Sequence, residues 1–144
     1  MNLLPKRIIF SLNFLDGVLY RTRNFAPDYR YTHNFIDLWS VDEIVILDIT
    51  RNIDFEDYGK KKFIRVLNNL SKNSFVPFSV GGHITKLKHI ETLLKNGADK
   101  IVLNSITYKN KKFVNDAAKE FGSSCIVVSI DVKLSIQKFL PFNL

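Results

Sequence analysis

Apolar runs rich in β-branched residues recur along this chain at residues 8–13, 44–48, 76–80, 101–104 and 126–131. Their hydrophobicity is continuous rather than alternating, the pattern of strands buried on both faces of a parallel sheet. The segments between them carry helical spacing instead. Phe35, Ile36, Leu38 and Trp39 predict a first helix, and Phe63, Ile64, Val66, Leu67 and Leu70 a second. Leu87, Ile90, Leu93 and Leu94 predict a third, with Thr85 as its N-cap and Gly97 as its stop. Phe113, Val114, Ala117, Ala118 and Phe121 predict a fourth, closed by Gly122. Strands alternating with helices in this way imply crossover connections and a parallel sheet.

An open doubly wound sheet shares this local grammar. A short internal repeat favours a barrel. The run Ile8-Ile9-Phe10-Ser11-Leu12-Asn13-Phe14 matches Ile126-Val127-Val128-Ser129-Ile130-Asp131-Val132, with Ser11 over Ser129 and Asn13 over Asp131. A fifth strand echoing the first is what a barrel of two similar halves would show. A complete (βα)8 barrel takes about 250 residues. The 144 residues here are therefore read as an α/β half-barrel of the TIM type. It comprises about four βα units plus a fifth strand, over residues 1–133, with 134–144 as a tail.

Composition is that of an ordinary globular domain, 46% hydrophobic and 24% charged. No apolar run approaches the ~20 residues that span a bilayer, and the start lacks a signal-peptide pattern, so a cytoplasmic protein without a membrane partner is expected. The single cysteine, Cys125, offers neither a disulfide framework nor clustered metal ligands. The net charge of +7 owes much to Lys60-Lys61-Lys62, Lys86, Lys88, Lys109, Lys111 and Lys112, each group near the start of an expected helix. Solvated helix faces account for it most simply; an anionic substrate or an acidic partner surface is the alternative. Nucleic acid is not expected, because the charges are spread over separate elements.

In a barrel, chemistry lies at the C-terminal ends of strands. Asn13, Asp48, Asn104 and Asp131 end four of the runs. One such residue alone would be read as capping a turn; four on one rim suggest a site. Gly81-Gly82 lets a backbone approach a ligand closely, and Asn104-Ser105 adds an amide and a hydroxyl one strand over. Adjacent loops of this kind can hold a phosphate. His83 is either a further contact there or an exposed loop histidine. His33 and His89 fall on expected helices and are not read as metal ligands. At the opposite end Arg7, Glu43 and Lys100 each stand immediately before a strand. Such residues often only flank strands, but three charges of both signs could form a ring at the barrel bottom.

The residues Lys6-Arg7-Ile8-Ile9, Asp16-Gly17, Leu47-Asp48-Ile49-Thr50, Val80-Gly81-Gly82, Gly97-Ala98-Asp99-Lys100, Asn104-Ser105, Phe121-Gly122-Ser123-Ser124-Cys125 and Ser129-Ile130-Asp131-Val132-Lys133 together carry a resemblance. Collinearly over residues 5–133, the chain resembles the cyclase subunit of imidazole glycerol phosphate synthase. That family uses ammonia from a glutaminase partner docked under the barrel. It cleaves and cyclises a bis-phosphorylated aminoimidazole ribonucleotide derivative in histidine biosynthesis. The resemblance implies Asp131 as the fifth-strand general acid or base, while the first-strand aspartate position holds Asn13. An amide there cannot exchange a proton at neutral pH. Gly81, Gly82, Asn104 and Ser105 match the first phosphate site, with His83 in place of a third glycine. Asp48 and Arg21 match substrate-side positions, Arg21 standing where the family has lysine. Arg7, Glu43 and Lys100 match three members of a charged ammonia gate, and Asp99 sits beside them on the partner face. No metal and no cofactor is implied.

The segment Phe25-Ala26-Pro27-Asp28-Tyr29-Arg30-Tyr31-Thr32 departs from the histidine-pathway pattern. It is closer to a paralogous branch that supplies nitrogen for sugar amidination in surface-polysaccharide biosynthesis. A third reading is a truncated remnant that keeps only a partner-docking face and one phosphate site, because the resemblance stops after Lys133. A half-barrel would leave apolar edges on its first and fifth strands, and a homodimer through those edges is the expected consequence.

Overall fold

The computed structural model describes residues 6–23, 26–30, 41–56, 58–134 and 139–141. Strands β1 (Ile9–Leu15), β4 (Glu43–Asp48), β5 (Phe78–Gly81), β6 (Lys100–Leu103) and β7 (Ile126–Val128) lie parallel, in that spatial order. They are the five runs expected from the sequence, each within a few residues. Two further strands, β2 (Val18–Arg23) and β3 (Ala26–Arg30), extend the sheet antiparallel beyond β1. The sheet order is β3-β2-β1-β4-β5-β6-β7, and the sheet does not close. The architecture is that of a partial (βα)-barrel.

The β1–β2 hairpin was not expected, although its signal is present. Asp16-Gly17 takes positive φ at both residues, 51° and 74°, the backbone of a tight two-residue turn for which Asp-Gly is well suited. The hairpin also changes the edge expected at β1. Asn13, Phe14 and Leu15 pair with Tyr20, Leu19 and Val18, so β1 is covered over its carboxyl end.

Helices α1 (Tyr58–Lys72), α2 (Leu87–Lys95) and α4 (Lys111–Phe121) follow β4, β5 and β6, with a short α3 (Ser105–Lys109) before α4. Their apolar positions meet one face of the sheet. Phe63 and Leu67 of α1, Ile90 and Leu93 of α2, and Phe113 and Ala117 of α4 are buried with Ile44, Ile46, Phe78, Val80, Ile101 and Leu103. Each large side chain withdrawn from water in this layer contributes roughly 1.5–3 kcal/mol. Phe14 meets Phe63 edge-on, with ring centroids 6.1 Å apart, and so locks β1 to α1.

Helix ends differ in one place from the sequence reading. Thr85 does not cap α2. The N-cap is Lys86, which makes no side-chain capping bond, and the Thr85 N–H instead donates to His89 Nδ1 at 3.3 Å. A histidine at the third helical position thus reaches back to tie down the residue before the N-cap. Gly122 ends α4 at φ 93°, as expected. At the start of that helix Asn110 accepts from the Lys112 and Phe113 N–H groups. The helix expected at 35–39, and His33 with it, lies outside the described residues. In the tail, β8 (Val132–Leu134) pairs antiparallel with β9 (Phe139–Pro141). Among the described residues no helix is long and apolar enough to cross a membrane. Lys61, Lys86, Lys88, Lys109, Lys111 and Lys112 are exposed, as solvated helix faces require.

Candidate functional site

Because side chains alternate along a strand, register decides which of them share a face. Asn13 pairs with Leu47, Leu47 with Gly81, Gly81 with Val102, and Val102 with Val127. This rung marks the face turned away from the helices. Ile44, Ile46, Val80, Ile101 and Leu103, one residue out of step with it, supply the helix-side core.

Beyond β6, Asn104 Nδ2 donates to Asp131 Oδ2 at 2.7 Å. That contact brings together two of the residues expected at the site, although 27 residues separate them in sequence. It also orients Asn104, since an amide nitrogen donating to Asp131 leaves the amide oxygen directed elsewhere. At the other side of the rim, Asn13 Nδ2 donates to Thr22 Oγ1 of β2 at 3.1 Å. The unexpected hairpin therefore supplies the partner that sets the Asn13 amide.

The loop after β5 is the second component. A Cβ on Gly81 would stand 2.8 Å from the Val102 carbonyl oxygen, and one on Gly82 would overlap the Asp48 carbonyl oxygen. Gly82 also lies at φ 116°. Only glycine fits this crowded, left-handed stretch. His83 follows at φ 53°, a conformation that costs a residue with a side chain about 1–2 kcal/mol. A glycine would take it readily. Ser105 opens α3 and is exposed, as is Arg21 on β2.

Asp48 is placed differently from the other rim residues. It is 4% exposed, and its Oδ1 accepts from both the Thr50 N–H and the Thr50 hydroxyl, at 3.1 and 2.7 Å. The same Thr50 oxygen accepts from the Asp16 N–H at 2.8 Å. Asp48 and Thr50 thereby fasten the β1–β2 turn to the end of β4. Phe55 stacks on His89 with ring centroids 3.9 Å apart and planes 10° from parallel.

The amino-terminal end of the same sheet holds the charged residues. Glu43, 5% exposed, is the hub. Its Oε2 accepts from Arg7 Nη2 at 2.6 Å and from Lys100 Nζ at 2.9 Å, and its Oε1 accepts from the Ser79 hydroxyl. Burial pushes the Glu43 carboxyl up. The Ser79 and Lys100 hydrogen bonds, the Lys100 charge and the Arg7 hydrogen bond outweigh that and hold it below its ordinary value. The three charges expected from sequence thus meet in one cluster. Asp99 is engaged elsewhere: its Oδ2 accepts the Phe78 N–H at 2.7 Å, and its own N–H donates to the Phe78 carbonyl at 2.8 Å. It clips β5 to β6.

With this geometry in place, comparison with known proteins is informative. Residues 15–140 match the family model described as "Histidine biosynthesis protein". The chain belongs to that family. Among curated relatives, it is 48% identical over 135 residues to the imidazole glycerol phosphate synthase subunit HisF of Helicobacter hepaticus, covering 90% of this chain and 52% of the relative. It is 44% identical over 136 residues to the protein of that name from Dictyoglomus turgidum, covering 91% and 52%. The corresponding protein of Natranaerobius thermophilus is 37% identical over 145 residues, covering 97% and 56%. The chain spans about half the length of the curated relatives it matches.

Sequence reading did not single out Ser79, Thr50, Thr22 or His89 as the partners that position neighbouring groups. Ser79 left a signal, as the lone hydroxyl in an otherwise apolar strand. Thr50 stood within the Leu47-Asp48-Ile49-Thr50 motif without a role of its own, and Thr22 left no signal that separates it from ordinary strand threonines.

Proposed function

We propose that this chain works as part of a cyclase of the imidazole glycerol phosphate synthase type. It would bind a phosphorylated aminoimidazole ribonucleotide derivative at the carboxyl rim of the sheet and use ammonia delivered from a glutaminase partner at the opposite end. The observation that carries the reading is the Asn104–Asp131 pair, formed beyond β6, the strand next to the Gly81-Gly82 loop. A carboxylate for proton transfer and a tight backbone loop for an anion are what such a reaction requires on one rim. The names of the curated relatives and the Arg7–Glu43–Lys100 cluster support the same reading.

In this mechanism the Gly81-Gly82 backbone, His83, Asn104 and Ser105 hold the phosphate, with Asp48 and Arg21 on the substrate side. Asp48 contributes through the loop it supports. Asp131 moves the proton. Asn13, anchored by Thr22, offers an amide where the related enzymes are expected to use a second carboxylate, so the second proton passes through solvent or substrate. Ammonia enters past Glu43, whose two cations exclude other small cations while leaving a neutral molecule unopposed. The partners are the glutaminase subunit and a second copy of this chain joined through strand edges.

The test is turnover with ammonium as nitrogen donor, alone and with a glutaminase supplied with glutamine. Asp131→Asn is expected to lower turnover by at least a hundredfold, the usual scale for a general acid or base, with circular dichroism unchanged. A folded, fully active mutant would remove Asp131 from the mechanism. Lys100→Ala is expected to reduce glutamine-fed turnover more than ammonium-fed turnover; equal losses would count against ammonia entry at Glu43.

A further inference from the structure

Ser79 is 1% exposed in a strand whose other side chains, Phe78 and Val80, are buried and apolar. A hydroxyl in that position is costly unless it is hydrogen-bonded, and its partner here is Glu43. Register shows why the two meet. Ser79 pairs with Val45 on one side and with Lys100 on the other, and Glu43 lies two residues before Val45 on the same face. The two oxygens of Glu43 are used unequally. Both cations sit on Oε2, and the Ser79 hydroxyl sits on Oε1. The cations are also the exposed side of the cluster: the side chain of Arg7 is 52% exposed and that of Lys100 31%, against 7% for Glu43.

We propose that Ser79 is the positioning residue of this cluster, fixing the Glu43 carboxylate to the sheet through Oε1 so that Arg7 and Lys100 can each leave Oε2 without releasing it. The inference rests on the reading of the cluster as an ammonia entrance and adds the part that such an entrance needs. A gate whose central anion swung away with its first departing cation would lose its second contact as well. A carboxylate carries about four lone-pair sites, so one hydroxyl can hold it while two cations exchange on the other oxygen. A threonine preserves the hydroxyl; an alanine removes it and leaves Oε1 buried beside a methyl group.

The experiment follows the Glu43 side-chain carboxyl carbon by NMR as pH is lowered, in the 144-residue chain and in Ser79→Ala, Ser79→Thr and Arg7→Ala. The unmodified chain is expected to titrate below the ordinary value. Ser79→Ala moves the midpoint upward, Ser79→Thr brings it back, and Arg7→Ala leaves it still below the ordinary value because Ser79 and Lys100 both remain on the carboxylate. A Ser79→Ala midpoint coinciding with the unmodified one overturns the proposal. So does an Arg7→Ala carboxyl that returns to its ordinary value. Should Ser79→Ala fail to fold by circular dichroism, Ser79→Cys replaces it: its thiol is only a weak donor, so its midpoint is expected above the unmodified one, and a coinciding midpoint overturns the proposal. These readouts require no turnover, so an anchored Glu43 in a chain without ammonia-dependent activity supports Ser79 and removes only the gate.

Discussion

Thr50 does at the scale of one side chain what several contacts would otherwise have to do. Its hydroxyl donates to Asp48 Oδ1 and accepts from the Asp16 N–H. Threonine and serine serve both directions; valine, of the same shape, serves neither. Asp48 and Thr50 are almost fully buried, so the lost partners are not replaced by water. Thr50→Val is therefore expected to cost about 2–3 kcal/mol in urea unfolding, while Thr50→Ser stays within about 1 kcal/mol of the parent. An unchanged Thr50→Val would mean that the β1–β2 turn holds itself in place without this bridge. The residue also shows where sequence reading stops. Asp48 stood out as a strand-end carboxylate and Gly82 as half of a glycine pair. The tie between them needs a carbonyl of one strand to pass beneath a loop of the next, with no space for a Cβ. Nothing in the spacing of residues 48–50 and 81–82 encodes that approach. Asn13 is similar: its identity was legible, but its partner Thr22 was hidden in an unexpected hairpin.

At the level of elements, the Glu43 cluster joins the segment entering β1 to strands β4, β5 and β6 through the side chains of Arg7, Ser79 and Lys100. Because the Glu43 carboxyl is held below its ordinary value of 4.5 in the folded chain, its contribution is present above that value. It is lost as pH falls through the lower, folded value. Glu43→Gln keeps the shape, removes the charge and leaves two cations facing a neutral amide. We expect it to lower unfolding stability at pH 7 by about 1–3 kcal/mol, the scale for losing hydrogen bonds to a charged group, with the ion-pair part screened because Arg7 and Lys100 are open to solvent. The deficit should shrink as pH falls from 4.5 to the lower, folded value, because the unfolded parent and then the folded parent take up the proton. A deficit independent of pH would show that Glu43 acts through packing instead. The parallel strands and the three long helices were legible because continuous apolar runs and 3.6-residue spacing report burial directly. The hairpin and the short α3 were not. They bury little, so their positions depend on turn backbone and on neighbours rather than on periodicity.

For the whole molecule, what matters is that the parallel sheet is open. Its central strands are covered on the helix side, while the entry to β1, the strand at the far edge and the residues after it carry exposed apolar side chains. Ile8, Ile9 and Phe10 are exposed at one side, and Val127, Val128, Ile130 and Val132 at the other. Strand β7 pairs only with β6 among the described strands, so its outer backbone N–H and C=O groups form a row open to another strand. Among the described residues, apolar exposure and unpaired backbone on the same strand mark a surface that further polypeptide covers, and a second copy of this chain is the covering we propose. The repeat between residues 8–14 and 126–132 makes the two sides alike in sequence, which suits association between identical copies. The association should therefore be concentration-dependent and should be blocked by a charge on the edge. Light scattering behind size exclusion is expected to give a mass of about twice 16.7 kDa at high concentration. Val127→Lys, which puts an ammonium on the face shared with Asn13 and Gly81, is expected to raise the dissociation constant at least tenfold, about 1.4 kcal/mol. Circular dichroism should be unchanged, because Val127 is already exposed in the single chain. A parent chain that stays monomeric at every concentration would mean that these edges are tolerated in water, and the two-copy assembly would fall. A parent dimer undisturbed by Val127→Lys would move the contact off β7 and onto the lower edge of β1, where Phe10→Lys makes the corresponding test.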